Sequence, residues 1–327
     1  GATIKLLEGT HLIADETVIG NKILDIYGEG KNTIIKIADN GSSTTYGLRI
    51  STGLTLKNLT LDGNASNTAT GELLQIYGDG SGGETVNDVT IQDIWLTNLN
   101  AEFIVGTGTG MNDFQVKNVT SLNNLPLDFL NFNVPVNCFA SQVIVKDCNV
   151  QIAGDGPFMK IVVATTGYGS NYFGTGNRIT YATGGSNGVA FNWSEVNRGV
   201  ISNNIAFAND TGRMQIFANL IECNYLTITG NNVKGANYAG IYCNPLDDST
   251  ITGNIIIGSG AVYTAGIHFD SGDRNVVMGN HIDIWNTDAI TIDSGSDKHV
   301  VVGNYSGGDG IVDNGASSVV ADNNDNG

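Results

Sequence analysis

A short phrase recurs through the second half of this chain and constrains its fold more than any other feature. It reads Ile228-Thr229-Gly230-Asn231 and returns as Ile251-Thr252-Gly253-Asn254, Val277-Met278-Gly279-Asn280 and Val301-Val302-Gly303-Asn304. Some ten residues after each copy comes Gly-Ile or a near equivalent: Gly240-Ile241, Gly266-Ile267, Ala289-Ile290 and Gly310-Ile311. Self-similarity at a period of a few tens of residues marks a stacked-repeat architecture. The third position of the phrase can be followed backwards through Asn58, Asp93, Asn118, Asp147, Gly176, Asn203, Gly230, Gly253, Gly279, Gly303 and Asp322. Three further strand-like runs precede it, Thr3–Leu7, Lys22–Tyr27 and Thr33–Ile37. About a dozen units follow, without a linker or a break in composition, so residues 1–327 read as a single domain.

Each unit holds runs of three to five residues with alternating apolar positions, split by Gly, Asn and Asp. Period-2 segments between turn residues are strands, and no long 3.6-residue pattern with caps appears. A unit with two or three short strands and one apolar side cannot bury that side alone. Stacking such units at the strand spacing of about 4.8 Å buries a continuous aliphatic column. The fold class is therefore all-β, a parallel β-helix of about a dozen coils. The Asn at the fourth position of the phrase (Asn177, Asn204, Asn231, Asn254, Asn280, Asn304, Asn323) is assigned to a sharp corner. Asn tolerates the left-handed backbone there, and stacked amides can bond from coil to coil.

Composition excludes several classes. Hydrophobic residues make up 41% and charged ones 14%, too apolar for a disordered chain, and 44 Gly with only 4 Pro lack a triplet period. The net charge of −17, from 15 basic and 32 acidic residues, repels nucleic acid and anionic membranes. No apolar run approaches the length of a membrane span. Cys138, Cys148, Cys223 and Cys243 have no zinc-type spacing and read as small core residues, with a bridge between Cys223 and Cys243 as the alternative.

The opening Val18-Ile19-Gly20-Asn21-Lys22-Ile23-Leu24-Asp25-Ile26-Tyr27-Gly28-Glu29-Gly30, then Thr33-Ile34-Ile35, together with the later Gly-Asn phrases, resembles pectate-lyase-like right-handed β-helix proteins. That superfamily includes polysaccharide lyases, glycoside hydrolases, epimerases and phage tailspike depolymerases. The resemblance covers essentially the whole chain. It implies a right-handed solenoid outside the cytoplasm, extracellular or virion-associated, with a polysaccharide or surface glycan as partner. Sequons such as Asn58-Leu59-Thr60 and Asn118-Val119-Thr120 would place glycans on stacking faces in a eukaryotic secreted protein, which favours a bacterial or viral source. One scaffold hosts many chemistries, so it does not fix the reaction. Asn286-Thr287-Asp288 is similar to the opening of a polygalacturonase active site, but that family's later motifs do not follow.

Chemistry is best sought where the repeat is broken. Late coils place Gly188, Gly240, Gly266, Ala289 and Gly310 before the inward residue, whereas earlier ones place Glu72, Glu102, Asp128 and Met159 there. Three carboxylates thus align on successive coils, with Lys160 and Arg213 further along the column. Carboxyls one coil apart cannot both ionise cheaply, which suits glycosidase acid/base work. In lyase chemistry the same cluster would hold Ca2+ against a uronate while Lys160 or Arg213 takes the proton. Ca2+ is the one cofactor this arrangement admits, and Asp270-Ser271-Gly272-Asp273 also has turn composition that could hold it.

The longest spacings of the third position, 35, 29 and 29, fall between Asn58 and Gly176, and insertions in solenoids gather on the binding face. Tyr77, Tyr168 and Tyr172 in these segments are candidates for stacking on sugar rings, as are Tyr242 and His268 on later coils of the same sheet. The reading is a carbohydrate-active enzyme, lyase or hydrolase, with Glu72, Glu102, Asp128, Lys160 and Arg213 as its catalytic set. The alternative is a non-catalytic tailspike-type or cell-surface adhesin, or a structural solenoid. Further coils or a homotrimer would cover the open end at Asn323–Gly327.

Overall fold

The structure, a computed structural model, describes residues 1–13, 17–19, 23–38, 47–64, 73–77, 85–99, 101–107, 110–134, 139–164, 168–182, 188–208, 214–259, 265–283, 287–307 and 310–325. Among them there is no helix, and every strand pairing described below is parallel. Packing divides the chain into two compact units, Gly1–Gly169 and Ser170–Gly327.

The first unit is a parallel β-solenoid. One row of strands runs through Ala2–Lys5, Leu24–Tyr27, Leu54–Asp62, Thr85–Thr97, Gly110–Ser121 and Phe139–Lys146. Its register stacks Ile26, Leu56, Ile91, Val116 and Val145 into a buried column. A second row, Thr17–Ile19, Leu48–Ile50, Leu74–Tyr77, Ile104–Thr107, Leu130–Val134 and Met159–Val163, stacks Leu48, Leu74, Ile104, Leu130 and Met159, all buried. Each fully buried aliphatic side chain contributes about 1.5–3 kcal/mol, and no coil reaches that burial without its neighbours. Beside this row three rings form a ladder, Phe103 on Phe129 (centroids 5.3 Å) and Phe129 on Phe158 (5.0 Å).

The second unit is also a parallel solenoid, and a more regular one. Ile201, Ile228, Ile251, Val277 and Val301 stack in register as one inward column; Ala206, Val233, Ile256 and Ile282 form another. The Asn column is hydrogen-bonded throughout and buried from Asn177 to Asn304. Asn254 shows the pattern: its backbone N–H and its Nδ2 both donate to Asn280 Oδ1 (3.0 and 2.9 Å), and Nδ2 also donates to Ile228 O (3.0 Å). The same pair of bonds to the next Asn runs from Asn177 through Asn204, Asn231, Asn280 and Asn304 to Asn323.

All eleven residues at the third position of the phrase have positive φ, from Asn118 at 49° to Gly176 at 68°. The left-handed corner therefore belongs to the third position and not to the fourth. Gly, Asn and Asp are the residues that tolerate that backbone, whereas the fourth-position Asn bonds from coil to coil. In the first unit the residues after the corner are Leu59, Ile94, Val119 and Cys148, all buried and apolar, so no amide ladder forms there.

A second polar column crosses the second unit. Ser249 N–H donates to Asn275 Oδ1 (2.9 Å), Asn275 N–H to His299 Nδ1 (3.3 Å) and His299 N–H to Ser318 Oγ (3.2 Å). His299 is fully buried, and its ring lies 4.6 Å from that of Phe269. Cys148, Cys223 and Cys243 are free, buried thiols, so no bridge joins Cys223 to Cys243. Cys138 lies outside the described residues.

Candidate functional site

Two clusters of titratable side chains stand out, one in each unit. In the first, Glu102 and Asp128 occupy equivalent places on neighbouring coils. Ile104 pairs with Leu130, and Phe103 N–H donates to Asp128 O (3.1 Å). On the next coil that place belongs to Pro157, whose carbonyl accepts from Phe129 N–H (3.1 Å). Lys160 instead pairs with Asn131, so the expected column is corrected: Lys160 lies on the next outward row, displaced by the turn Ala153–Pro157. Glu72 and Arg213 lie outside the described residues.

Asp128 is 8% exposed, an unusual state for a carboxylate. The Phe129 ring follows it in the chain, and Gly156 presses on it from the next coil. A Cβ at Gly156 would sit 2.6 Å from both Asp128 N and Asp128 Oδ1, so only glycine lets the backbone pass there. Burial pushes the Asp128 carboxyl up to about 6, and the charge of Glu102 adds to the rise, against the opposing pull of Lys160 and a hydrogen bond from Asn131. Near pH 6 Asp128 therefore carries a proton that it can give up, one coil away from Glu102. Asn131 was not singled out from the sequence, because an outward Asn on a strand has no distinguishing pattern.

The aromatic candidates separate. Tyr77 is exposed, with the Arg49 guanidinium 4.3 Å from its ring centroid. Tyr172 is fully buried, 6.2 Å from the Trp193 ring; its alternation places it inward, so it fills the core and cannot stack on a sugar. The side chain of Tyr168 lies outside the description.

In the second unit, Tyr242 pairs with His268 and His268 with Thr291 across the strands Asn232–Asp247, Ala265–Asp273 and Asp288–Asp297. The Tyr242 and His268 rings meet edge to face, centroids 5.3 Å apart. His268 Nε2 lies 2.9 Å from Asp293 Oδ2. One ligand-type atom from each of His268, Asp270 and Asp293 falls within 4.8 Å of the others. Burial raises the Tyr242 phenol above its ordinary range, and its hydroxyl bonds to Asn244 and Asp270. Asn244 Oδ1 in turn accepts from Ser271 Oγ (3.0 Å). Asp270 and Asp293 were not chosen as partners of His268 from the sequence. Turn composition conceals Asp270, and Asp293 comes from another coil, past a register shift between Phe269 and Ser271.

A family model described as periplasmic copper-binding protein (NosD) matches residues 155–324, just over half of the chain. The chain belongs to the NosD family. The NosD match contains Tyr242, His268, Asp270 and Asp293, whereas Glu102 and Asp128 precede it. Comparison with curated proteins finds no match. Among solved structures, the Azotobacter vinelandii mannuronan C-5 epimerase AlgE6 A-module is similar at TM-score 0.51 and 16% identity, over 98% of this chain and 91% of that one. The catalytic domain of a GH87 alpha-1,3-glucanase is similar at TM-score 0.56 and 13% identity, over 97% and 61%. The pre-mature bacteriophage phi29 gene product 12 is similar at TM-score 0.56 and 13% identity, over 97% and 53%. At these identities the likeness shows the fold, a parallel β-helix that NosD shares with polysaccharide enzymes and phage proteins. Among the described residues no helix is long and apolar enough to cross a membrane.

Proposed function

We propose that the protein cleaves glycosidic bonds in a polysaccharide, with Asp128 as general acid and Glu102 as the nucleophile beside it. The observation that carries this reading is the buried Asp128 carboxyl, raised to about 6 beside Glu102. Neighbouring parallel strands lie about 4.8 Å apart, close to the carboxyl separation of about 5–5.5 Å that suits double displacement. Asp128 protonates the leaving glycosidic oxygen while a Glu102 oxygen bonds to the anomeric carbon. Water then displaces Glu102, giving its proton to Asp128. Lys160 and Asn131 contact the sugar hydroxyls beside the pair, and Tyr77 offers an aromatic face. The family's periplasmic description supports a role outside the cytoplasm, and the epimerase and the glucanase of the same fold are named for polysaccharide substrates. The charge of −17 makes a neutral glycan the better electrostatic match.

The test is a panel of neutral and acidic polysaccharides, read for new reducing ends and for the ultraviolet absorbance of unsaturated uronate. New reducing ends without that absorbance, lost in Asp128→Asn and Glu102→Gln, support the reading. Unsaturated products would replace hydrolysis with elimination. Binding without turnover on every polymer would make the protein an adhesin.

The family description also raises copper. Cu(I) prefers thiolate and thioether donors. Here the three described cysteines are buried, with the Cys148 and Cys223 thiols pushed up to about 12 by burial. Met111, Met159 and Met214 are core residues, and Met278 is the exposed one among the described methionines. The described residues do not fit a Cu(I) site.

A further inference from the structure

We infer that His268, Asp270 and Asp293 form a binding site for a borderline divalent cation of the zinc class, on the outer face of the second unit. This is independent of the acid/base pair in the first unit. Their donor atoms lie within 4.8 Å of one another, a separation that a single ion with bonds of about 2.0–2.2 Å to nitrogen and oxygen can bridge. One imidazole and two carboxylates suit a borderline ion such as Zn2+ better than Ca2+, which takes oxygen ligands alone.

Charge gives a second, separate reason. Asp270 and Asp293 bring two negative charges to one spot, and among the described residues neither forms an ion pair with Lys or Arg. The partner seen is His268, whose Nε2 faces Asp293 Oδ2 at 2.9 Å, a distance normal between two ligands of one metal. Arg274 is already held by Asp248 through Nε (2.6 Å) and Nη2 (2.8 Å).

The supporting groups are in place as well. Tyr242 hydroxyl bonds Asp270, Asn244 bonds Tyr242, and Ser271 bonds Asn244. Such outer partners fix the orientation of metal ligands and sustain affinity. All three donors sit on two paired parallel strands, Ala265–Asp273 and Asp288–Asp297. Three protein ligands leave coordination positions open to water or to a hydroxyl-bearing ligand, the arrangement of metal sites that take an exogenous group.

The test uses the full chain stripped with chelator and titrated with Zn2+ by calorimetry, with Co2+ as a spectroscopic probe. One equivalent of Zn2+ should bind, raise the unfolding temperature and be weakened at least tenfold in both His268→Gln and Asp293→Asn. Asp293 is on the surface, so its variant keeps the fold even if the His268 variant does not. Bound Co2+ should show a d–d spectrum that His268→Gln abolishes. The inference is overturned if no stoichiometric binding occurs. It is equally overturned if Ca2+ binds as tightly as Zn2+ and both bind undiminished to His268→Gln, which would show only an acidic surface.

Discussion

The two units turn the same corner in two ways. In both, a residue with positive φ ends each recurrence of the phrase's third position, as at Asn118 and Asp147 in one unit and Gly253 and Gly279 in the other. In the second unit the next residue is a buried Asn that bonds to its counterparts above and below. In the first unit it is Leu59, Ile94, Val119 or Cys148, and cohesion comes from aliphatic columns and the stack of Phe103, Phe129 and Phe158. A hydrogen-bonded ladder is directional and enforces identical coils, while apolar packing tolerates coils of different length. The irregular unit is thus the one that can bury a carboxyl such as Asp128, and the regular one presents its polar groups, Tyr242, His268 and Asp293, on an ordered outer face.

The sharpest way to break this contrast is through activity. Once a polysaccharide is found that is cleaved, Asp128→Asn should lower kcat/KM by about 10²–10⁴, the usual share of a general acid, with Glu102→Gln comparable. His268→Gln and Asp293→Asn should leave that rate within a fewfold. If the His268 variant is the one that loses turnover, the chemistry belongs to the second unit.

The next effect is on stability. Asn254→Asp replaces two donors with acceptors facing Asn280 Oδ1 and Ile228 O, and unsatisfied buried polar groups cost about 1–3 kcal/mol each. Denaturant unfolding should show a loss of several kcal/mol in that range. Val119→Ala, the equivalent place in the first unit, removes two methyl groups and should cost less than Asn254→Asp. Equal losses would mean that the ladder contributes no more than packing. Gly156→Ala should fall between them, since its Cβ meets Asp128 N and Oδ1 at 2.6 Å and the carboxyl must move. A crystal structure or the pH profile of that variant would show whether Asp128 leaves its pocket.

Much of this was legible in the residues. The Gly-Asn phrase and the period-2 runs are short-range patterns, and they located all eleven corners because only a few residue types tolerate that backbone. Which phrase position carries the strain was not legible, since Asn suits both a left-handed corner and an amide ladder. The neighbourhood of Glu102 and Asp128 could be read because one unbroken strand repeat separates them. Lys160 could not be placed, because Gly154 and Gly156 in the intervening turn change the count before the strand resumes. The pairing of His268 with Asp293 depends on a register shift between coils, which no single-coil pattern records. Tyr172 shows the converse error: an aromatic in a long unit looks like a binding residue until its inward facing is known.

The smallest effect is the most discriminating, because it predicts opposite signs in the two units. Asp128 has a folded pKa of about 6 against an ordinary 3.8. Between those values the folded state binds the extra proton, so its contribution to stability is full below about 3.8 and is lost as the pH rises through 6. His299 is lowered from 6.5, chiefly by burial, and its Nδ1 accepts from Asn275 N–H. Here the unfolded state binds the extra proton, and the contribution is full above 6.5 and is lost as the pH falls. Asp128→Asn should therefore gain in unfolding temperature over the parent at pH 8 relative to pH 4. His299→Asn keeps an acceptor for Asn275 and removes the titration, and it should do better at pH 5 than at pH 8. For Asp128 the difference amounts to a few degrees, at about 2–4 °C per kcal/mol for a chain of this class, and for His299 the sign is the prediction. Two pH slopes of the same sign would show that the buried Asp128 and the buried His299 do not resist charging as their surroundings require.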